Sequence, residues 1–131
     1  MIGLDTNVLV RYLVQDDVQQ AARASKHIEG AAAAGERCFV GTVVLCELLW
    51  VLDSAYGFEK PLLVDVLEKI LMAAQLEVED KDAAWSALAD FRDRGVDFAD
   101  CLIGRSNRAR GCEATVTFDK ALSKMDGFRT L

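Results

Sequence analysis

The sequence predicts an α/β protein built on a short parallel sheet that is covered by helices on both faces. Three observations carry this expectation. Short β-branched or aliphatic runs alternate with longer segments of helical period. Glycines and the single proline punctuate those segments, and no Pro/Gly/Ser-rich linker or internal repeat divides the chain. With 131 residues, 52% of them apolar, the chain is long enough to bury a proper core, and one domain spanning 1–131 is expected.

Residues 1–5 read as a short buried strand. Thr6 to about Val14 begins a helix, with Thr6 or Asn7 near its cap. Val18 to Ala34 is alanine-rich and helical in character, and Gly35 ends it. Arg37–Val40 is a second short strand. Thr42 is suited to cap a strongly apolar helix running to about Ser54, which Tyr56-Gly57 breaks. Pro61 fits the first turn of the next helix, where Leu62, Leu63, Val66, Leu67, Ile70 and Leu71 recur at helical spacing. Leu76–Val78 is a third strand. Lys81–Arg94 is helical, with Ala84, Trp85, Leu88 and Phe91 on one face, and stops at Gly95. Asp97–Arg110 is a further helix before Gly111. Glu113–Phe118 is a β-branched strand, and Gly127–Leu131 an edge strand.

Composition narrows the function classes. The net charge of −6 argues against binding nucleic acid by bulk charge, so a polyanionic substrate needs bound cations or a local basic strip. No apolar run approaches the ~20 residues that span a bilayer, and no basic-then-apolar leader is visible. A cytoplasmic location is expected. Cys38, Cys46, Cys101 and Cys112 form no C-x-x-C pair and lie in apolar contexts, which predicts buried free thiols.

Four carboxylates stand where a folded chain should least want them. Asp5 follows the apolar opening Met1-Ile2-Gly3-Leu4, and Glu47 is the only charge between Val43 and Leu52. Asp100 lies in Phe98-Ala99-Asp100-Cys101-Leu102-Ile103, and Asp119 follows Thr115-Val116-Thr117-Phe118. An ionised carboxylate in apolar surroundings is costly unless paired, and a divalent cation is one good partner. Each acid has a bland alternative: a helix cap for Asp5, an exposed stripe or salt bridge for Glu47, a turn for Asp119. Glu47 is the hardest to explain away, because a helix apolar nearly all round should be buried. Asp97 shares a helical face with Asp100 but sits where the helix should start, so it reads first as an N-cap. Asp5 and Asp119 directly follow strands, and open parallel sheets bind ligands beyond the carboxyl ends of their strands.

The set is all oxygen. Zinc favours cysteine and histidine, and the sole histidine, His27, lies in a polar helical stretch that reads as surface. Carboxylates with water suit Mg²⁺ or Mn²⁺, and such an ion can activate a water for in-line attack on a phosphate ester. No P-loop or Gly-rich phosphate cradle is present, which removes nucleotide-driven ATPases.

These segments resemble those of PIN-domain proteins, specifically the VapC-type ribonuclease toxins of toxin–antitoxin pairs. The carriers are Ile2-Gly3-Leu4-Asp5-Thr6-Asn7-Val8-Leu9-Val10-Arg11-Tyr12, the helix with Glu47, Asp97-Phe98-Ala99-Asp100-Cys101-Leu102-Ile103, and Thr117-Phe118-Asp119-Lys120. The resemblance spans nearly the whole chain. It implies a three-layer α/β/α sandwich and an endoribonuclease in which Asp5, Glu47, Asp100 and Asp119 hold Mg²⁺ or Mn²⁺. Asn7 and Thr117 match supporting positions, and Asp97 matches one that is often acidic. The resemblance further implies an antitoxin partner that sets a basic side chain among the acids, and a homodimer. The apolar helices from Thr42 to Met72 are the candidate dimer face. Arg105, Arg108, Arg110 and Lys120 are candidate RNA phosphate contacts, although a basic helix C-terminus also suits the helix dipole.

Competing classes fare less well. Haloacid-dehalogenase-type phosphotransfer needs D-x-D, and Asp5-Thr6-Asn7 lacks the second acid. Receiver domains need an acidic pair at the first strand end, which is absent. A non-catalytic scaffold of the same fold has no use for a complete acid set. A housekeeping PIN nuclease in RNA processing stays open, and neither the RNA target nor its cleavage sequence is legible.

Overall fold

The computed structural model describes residues 1–131 and gathers them into two compact units, Met1–Glu79 and Asp80–Leu131. The first unit contains β1 (Ile2–Gly3), α1 (Thr6–Val14), α2 (Val18–Ala33), β2 (Cys38–Val40), α3 (Thr42–Ser54), α4 (Lys60–Met72) and β3 (Leu76–Val78). Its strands pair in the order β1-β2-β3, all parallel, with Ile2 opposite Cys38 and Cys38 opposite Leu76. Helices fill every crossover, as parallel strands require. Leu9, Ile28, Leu45, Leu48, Leu52 and Leu67 are fully buried, and the spacing of the three leucines on α3 explains its inward face.

Local chemistry sets the boundaries. Asp17 accepts the Gln20 N–H at 3.0 Å and starts α2, and Gln15 takes the left-handed conformation (φ 61°) that ends α1. Pro61 sits in the first turn of α4, where its missing N–H costs nothing.

The second unit contains α5 (Lys81–Asp93), α6 (Phe98–Ala109), β4 (Thr115–Thr117), a 3-10 turn (Leu122–Lys124) and β5 (Phe128–Thr130). β4 and β5 pair in parallel, Thr115 opposite Phe128. α5 packs on α6, and Phe91 meets Phe98 edge to face with ring centres 6.1 Å apart.

The parallel pairing and the order of elements are as the sequence predicts, with some differences. The strands are two or three residues long, shorter than the apolar runs suggest, because only that much of each run finds a neighbouring strand. Gly41, not Thr42, is the N-cap of α3, and the Glu79 side chain supplies the cap by accepting the Thr42 N–H at 2.8 Å. Glu79 is therefore a working cap. Trp85 and Leu62 are exposed despite their helical spacing. All four cysteines are free, but only Cys38 and Cys101 are buried; Cys46 is intermediate and Cys112 exposed. No helix is long and apolar enough to cross a membrane.

Candidate active site

In the first unit, Asp5 follows β1 and occupies the N-cap position of α1 with extended backbone (φ −82°, ψ 158°). Its carbonyl oxygen accepts the Val8 N–H at 3.1 Å, so the backbone alone starts the helix. The side chain makes no capping bond and is exposed, so the capping alternative for Asp5 does not describe its carboxylate. Next to it, Thr6 is buried and its Oγ1 has no hydrogen-bond partner. Asn7 is exposed on the same turn.

Glu47 departs from expectation. α3 is not buried all round: Val43 and Trp50 are 79% and 69% exposed, and Glu47 lies between them on the same stripe. The leucines at 45, 48, 49 and 52 cover the opposite face. Glu47 thus projects from an exposed apolar stripe and not into a buried polar pocket.

In the second unit, Asp97 is the N-cap residue of α6, and its carbonyl oxygen accepts the Cys101 N–H at 3.1 Å. Its side chain makes no cap bond, which leaves the carboxylate free to act on its neighbours. Asp100, one turn in, is half-buried. Burial raises its pKa first, and the negative charges of Asp97 and Asp119 raise it further. The unit therefore brings three acids within electrostatic reach of one another. Beside them, burial pushes the Cys101 thiol up to about 11, with Asp90, Asp100 and Asp97 adding to the shift. That thiol stays protonated at neutral pH and is a poor metal ligand or nucleophile.

Asp119 follows β4 in a compact turn. Its backbone N–H donates to Thr117 Oγ1 at 3.0 Å, and its Oδ1 accepts the Ala121 N–H at 2.8 Å. Asp119 is thus a turn aspartate whose Oδ2 remains available, and Thr117 fixes the turn that presents it.

The basic candidates separate. Arg105 donates from Nε to Asp90 Oδ2 at 2.8 Å and from Nη2 to Asp90 Oδ1 at 2.9 Å. A guanidinium held in this two-pronged way inside the unit is not a free phosphate contact, so that expectation is corrected. Arg110 leans on Asp80 at 3.4 Å. Arg108 and Lys120 are exposed. Sequence reading missed Asp90, which is 9% exposed. The signal was there, because Asp90 stands within the buried face that Ala87, Leu88 and Phe91 define.

No three His, Cys, Asp or Glu side chains are grouped so as to hold a metal ion. The donor chemistry nonetheless fits a hard cation: oxygen donors only, a neighbouring thiol kept protonated, and an acid whose ionised form is disfavoured by burial and then by like charges.

A family model described as PIN domain matches residues 2–128. A protein named VapC ribonuclease from Aquifex aeolicus (strain VF5) is 29% identical over 128 residues, covering 98% of this chain and 93% of that relative. No solved structure matches significantly.

Proposed function

The chain belongs to the PIN domain family, and on that premise we propose that it is a divalent-metal-dependent endoribonuclease, the toxin of a toxin–antitoxin pair. The observation that carries the reading is the grouping of acids in the second unit: the Asp97 side chain makes no cap bond, the Asp119 turn presents its carboxylate, and burial together with these two negative charges raises the pKa of Asp100. The name of the Aquifex relative supports RNA as the substrate. The family match runs through both compact units, which supports treating 1–131 as one PIN domain.

In this proposal Asp5, Glu47, Asp100 and Asp119 act as one ligand set for Mg²⁺ or Mn²⁺. The bound cation would offset repulsion among the acids and polarise water and phosphate oxygen for in-line hydrolysis. Thr117 holds the Asp119 turn, and Asn7 supports the corner at Asp5. Lys120 and Arg108 are left to meet flanking phosphates. Family precedent assigns a 5′-phosphate and a 3′-hydroxyl to the products.

An antitoxin placing an arginine among these acids would replace the cation charge with bidentate hydrogen bonds. The exposed Leu62 and Met72 of α4 support a homodimer through the α3–α4 region. Four free cysteines agree with a reducing cytoplasm.

The test is cleavage of a mixed RNA pool with Mg²⁺ or Mn²⁺ by wild type, Asp5→Asn and Glu47→Gln. Each variant should lose at least about a hundredfold in rate, as for removal of one group that stabilises charge in the transition state. Variants that cut as fast as wild type would end the assignment. Growth arrest on expression, relieved by a small co-encoded protein, separates a toxin from an RNA-processing nuclease.

A further inference from the structure

The cations of the first unit are few and unevenly placed. Residues 1–79 hold six Lys and Arg against twelve Asp and Glu, a net of −6, whereas residues 80–131 hold nine of each. Four of those six cations, Arg11, Arg23, Lys26 and Arg37, line two adjoining cavities of about 850 and 570 Å³. The cavities share Arg23 and His27, so they form one groove along α2. Glu36 is the only acid in the lining. Concentrating four of six cations beside a single acid is the opposite of what a unit with twice as many acids as bases should do at random.

The lining cations differ in availability. Arg11 is held by Asp16, Tyr56 and Gln20, and Arg37 by Glu77. Arg23, Lys26 and His27 face the groove from α2 at i, i+3 and i+4, exposed and without a partner in the chain. Imidazole offers an N–H donor in either protonation state. The lined stretch of α2 runs from Gln20 to Ala31, about 16 Å at 1.5 Å per residue, enough for several nucleotides. At its other side the groove reaches Gly3, Leu4 and Asn7, the segment that carries Asp5.

We propose that this groove is a track for the phosphate backbone of single-stranded RNA, leading from the Asp5–Asn7 corner along Arg23, Lys26 and His27. The proposal rests on the ribonuclease reading and names where its substrate lies beyond the cleaved bond. No Phe, Tyr or Trp lines the groove and its polar lining is mainly cationic, so recognition is chiefly of the backbone rather than of sequence. The groove also answers the charge problem: a chain of net −6 still holds a polyanion if several of its unpaired cations are gathered in one strip.

The experiment is fluorescence anisotropy of a labelled single-stranded RNA with the full chain in chelator, so that nothing is cut, over a series of salt concentrations. Arg23→Ala with Lys26→Ala should weaken binding about tenfold and make the log–log salt dependence shallower by about 1.4, roughly 0.7 per lost phosphate contact. Lys60→Ala with Lys69→Ala removes the same charge from α4 and should stay within about twofold of wild type. Arg23→Lys should retain most of the affinity, and thermal melts confirm that each variant is folded.

Equal weakening by both double variants, an unchanged salt slope, or no RNA binding by wild type would overturn the proposal. So would a groove variant that binds RNA normally but loses a co-expressed antitoxin, which would assign the groove to an acidic protein segment. Groove-dependent RNA binding by a chain that cuts no RNA with Mg²⁺ or Mn²⁺ would sink the ribonuclease reading and leave the groove standing.

Discussion

Arg105 on α6 grips Asp90 on α5 through two parallel hydrogen bonds, Nε at 2.8 Å and Nη2 at 2.9 Å. The pair ties together the two helices of the second unit and fixes the orientation of the helix that carries Asp100. Asp90 is nearly buried while the Arg105 side chain is 38% exposed, so the desolvation cost falls mainly on the carboxylate.

Asp90→Ala leaves Arg105 facing the α5–α6 seam without its acid. Breaking a buried pair costs roughly 3–5 kcal/mol, and the partial exposure of Arg105 discounts this to about 2 kcal/mol. Chemical denaturation should show that loss, and Arg105→Ala should lose more, because it leaves the buried carboxylate unpaired. Equal stability of all three chains would remove the pair as a structural tie.

Asp100 gives a pH-dependent outcome. Its pKa is raised by burial and then by Asp97 and Asp119, so the fold favours its protonated form. The stability it contributes is full below the unfolded carboxylate range, near pH 3.9, and is lost as pH rises through its elevated value. Asp100→Asn should therefore raise the Tm of metal-free protein at neutral pH, with the gain vanishing in acid. Mg²⁺ should raise the Tm of wild type more than that of the variant, because the variant has lost a ligand. Melts in chelator and in Mg²⁺ across pH 3–8 check both signs.

Gly104 lies against the Phe128 ring. A Cβ there would stand 2.5 Å from Cε2 and 2.7 Å from Cζ. Gly104→Ala should destabilise the wild type although alanine favours a helix by about 1 kcal/mol. In a Phe128→Ala background the clash is gone, and the same change should stabilise by about that amount. A double-mutant cycle reads the reversal, and additivity would show that the ring moves freely.

Glu79 caps α3, the helix that presents Glu47. Glu79→Ala removes the acceptor for the Thr42 N–H and should cost about 1 kcal/mol. RNA cleavage should fall only as far as the folded fraction falls, measured by activity alongside circular dichroism.

Much of the fold was legible from short-range chemistry. α1 and α3 span Thr6–Val14 and Thr42–Ser54, where the apolar periods put them, although Asp5 and Gly41 take the N-cap positions expected of Thr6 or Asn7 and of Thr42. Asp119 was correctly suspected as a turn residue for the same reason. Reading failed where the answer depended on distant chain. α3 looked buried all round because its sequence is apolar all round, yet Val43 and Trp50 face out. Asp90 was overlooked because its partner is 15 residues away on another helix.

The sequence by itself determined which acids stand in apolar company, the oxygen-only character of the candidate metal ligands and the alternation that demands parallel strands. Only the tertiary structure decided which charges are spoken for. Arg105 and Glu79 proved to be committed to partners, while Arg23, Lys26 and His27 proved to be free and gathered along one groove. The physical reason is that a side chain's type is written at its own position, whereas its neutralisation is a property of the space around it. Folding fills that space with residues remote in sequence.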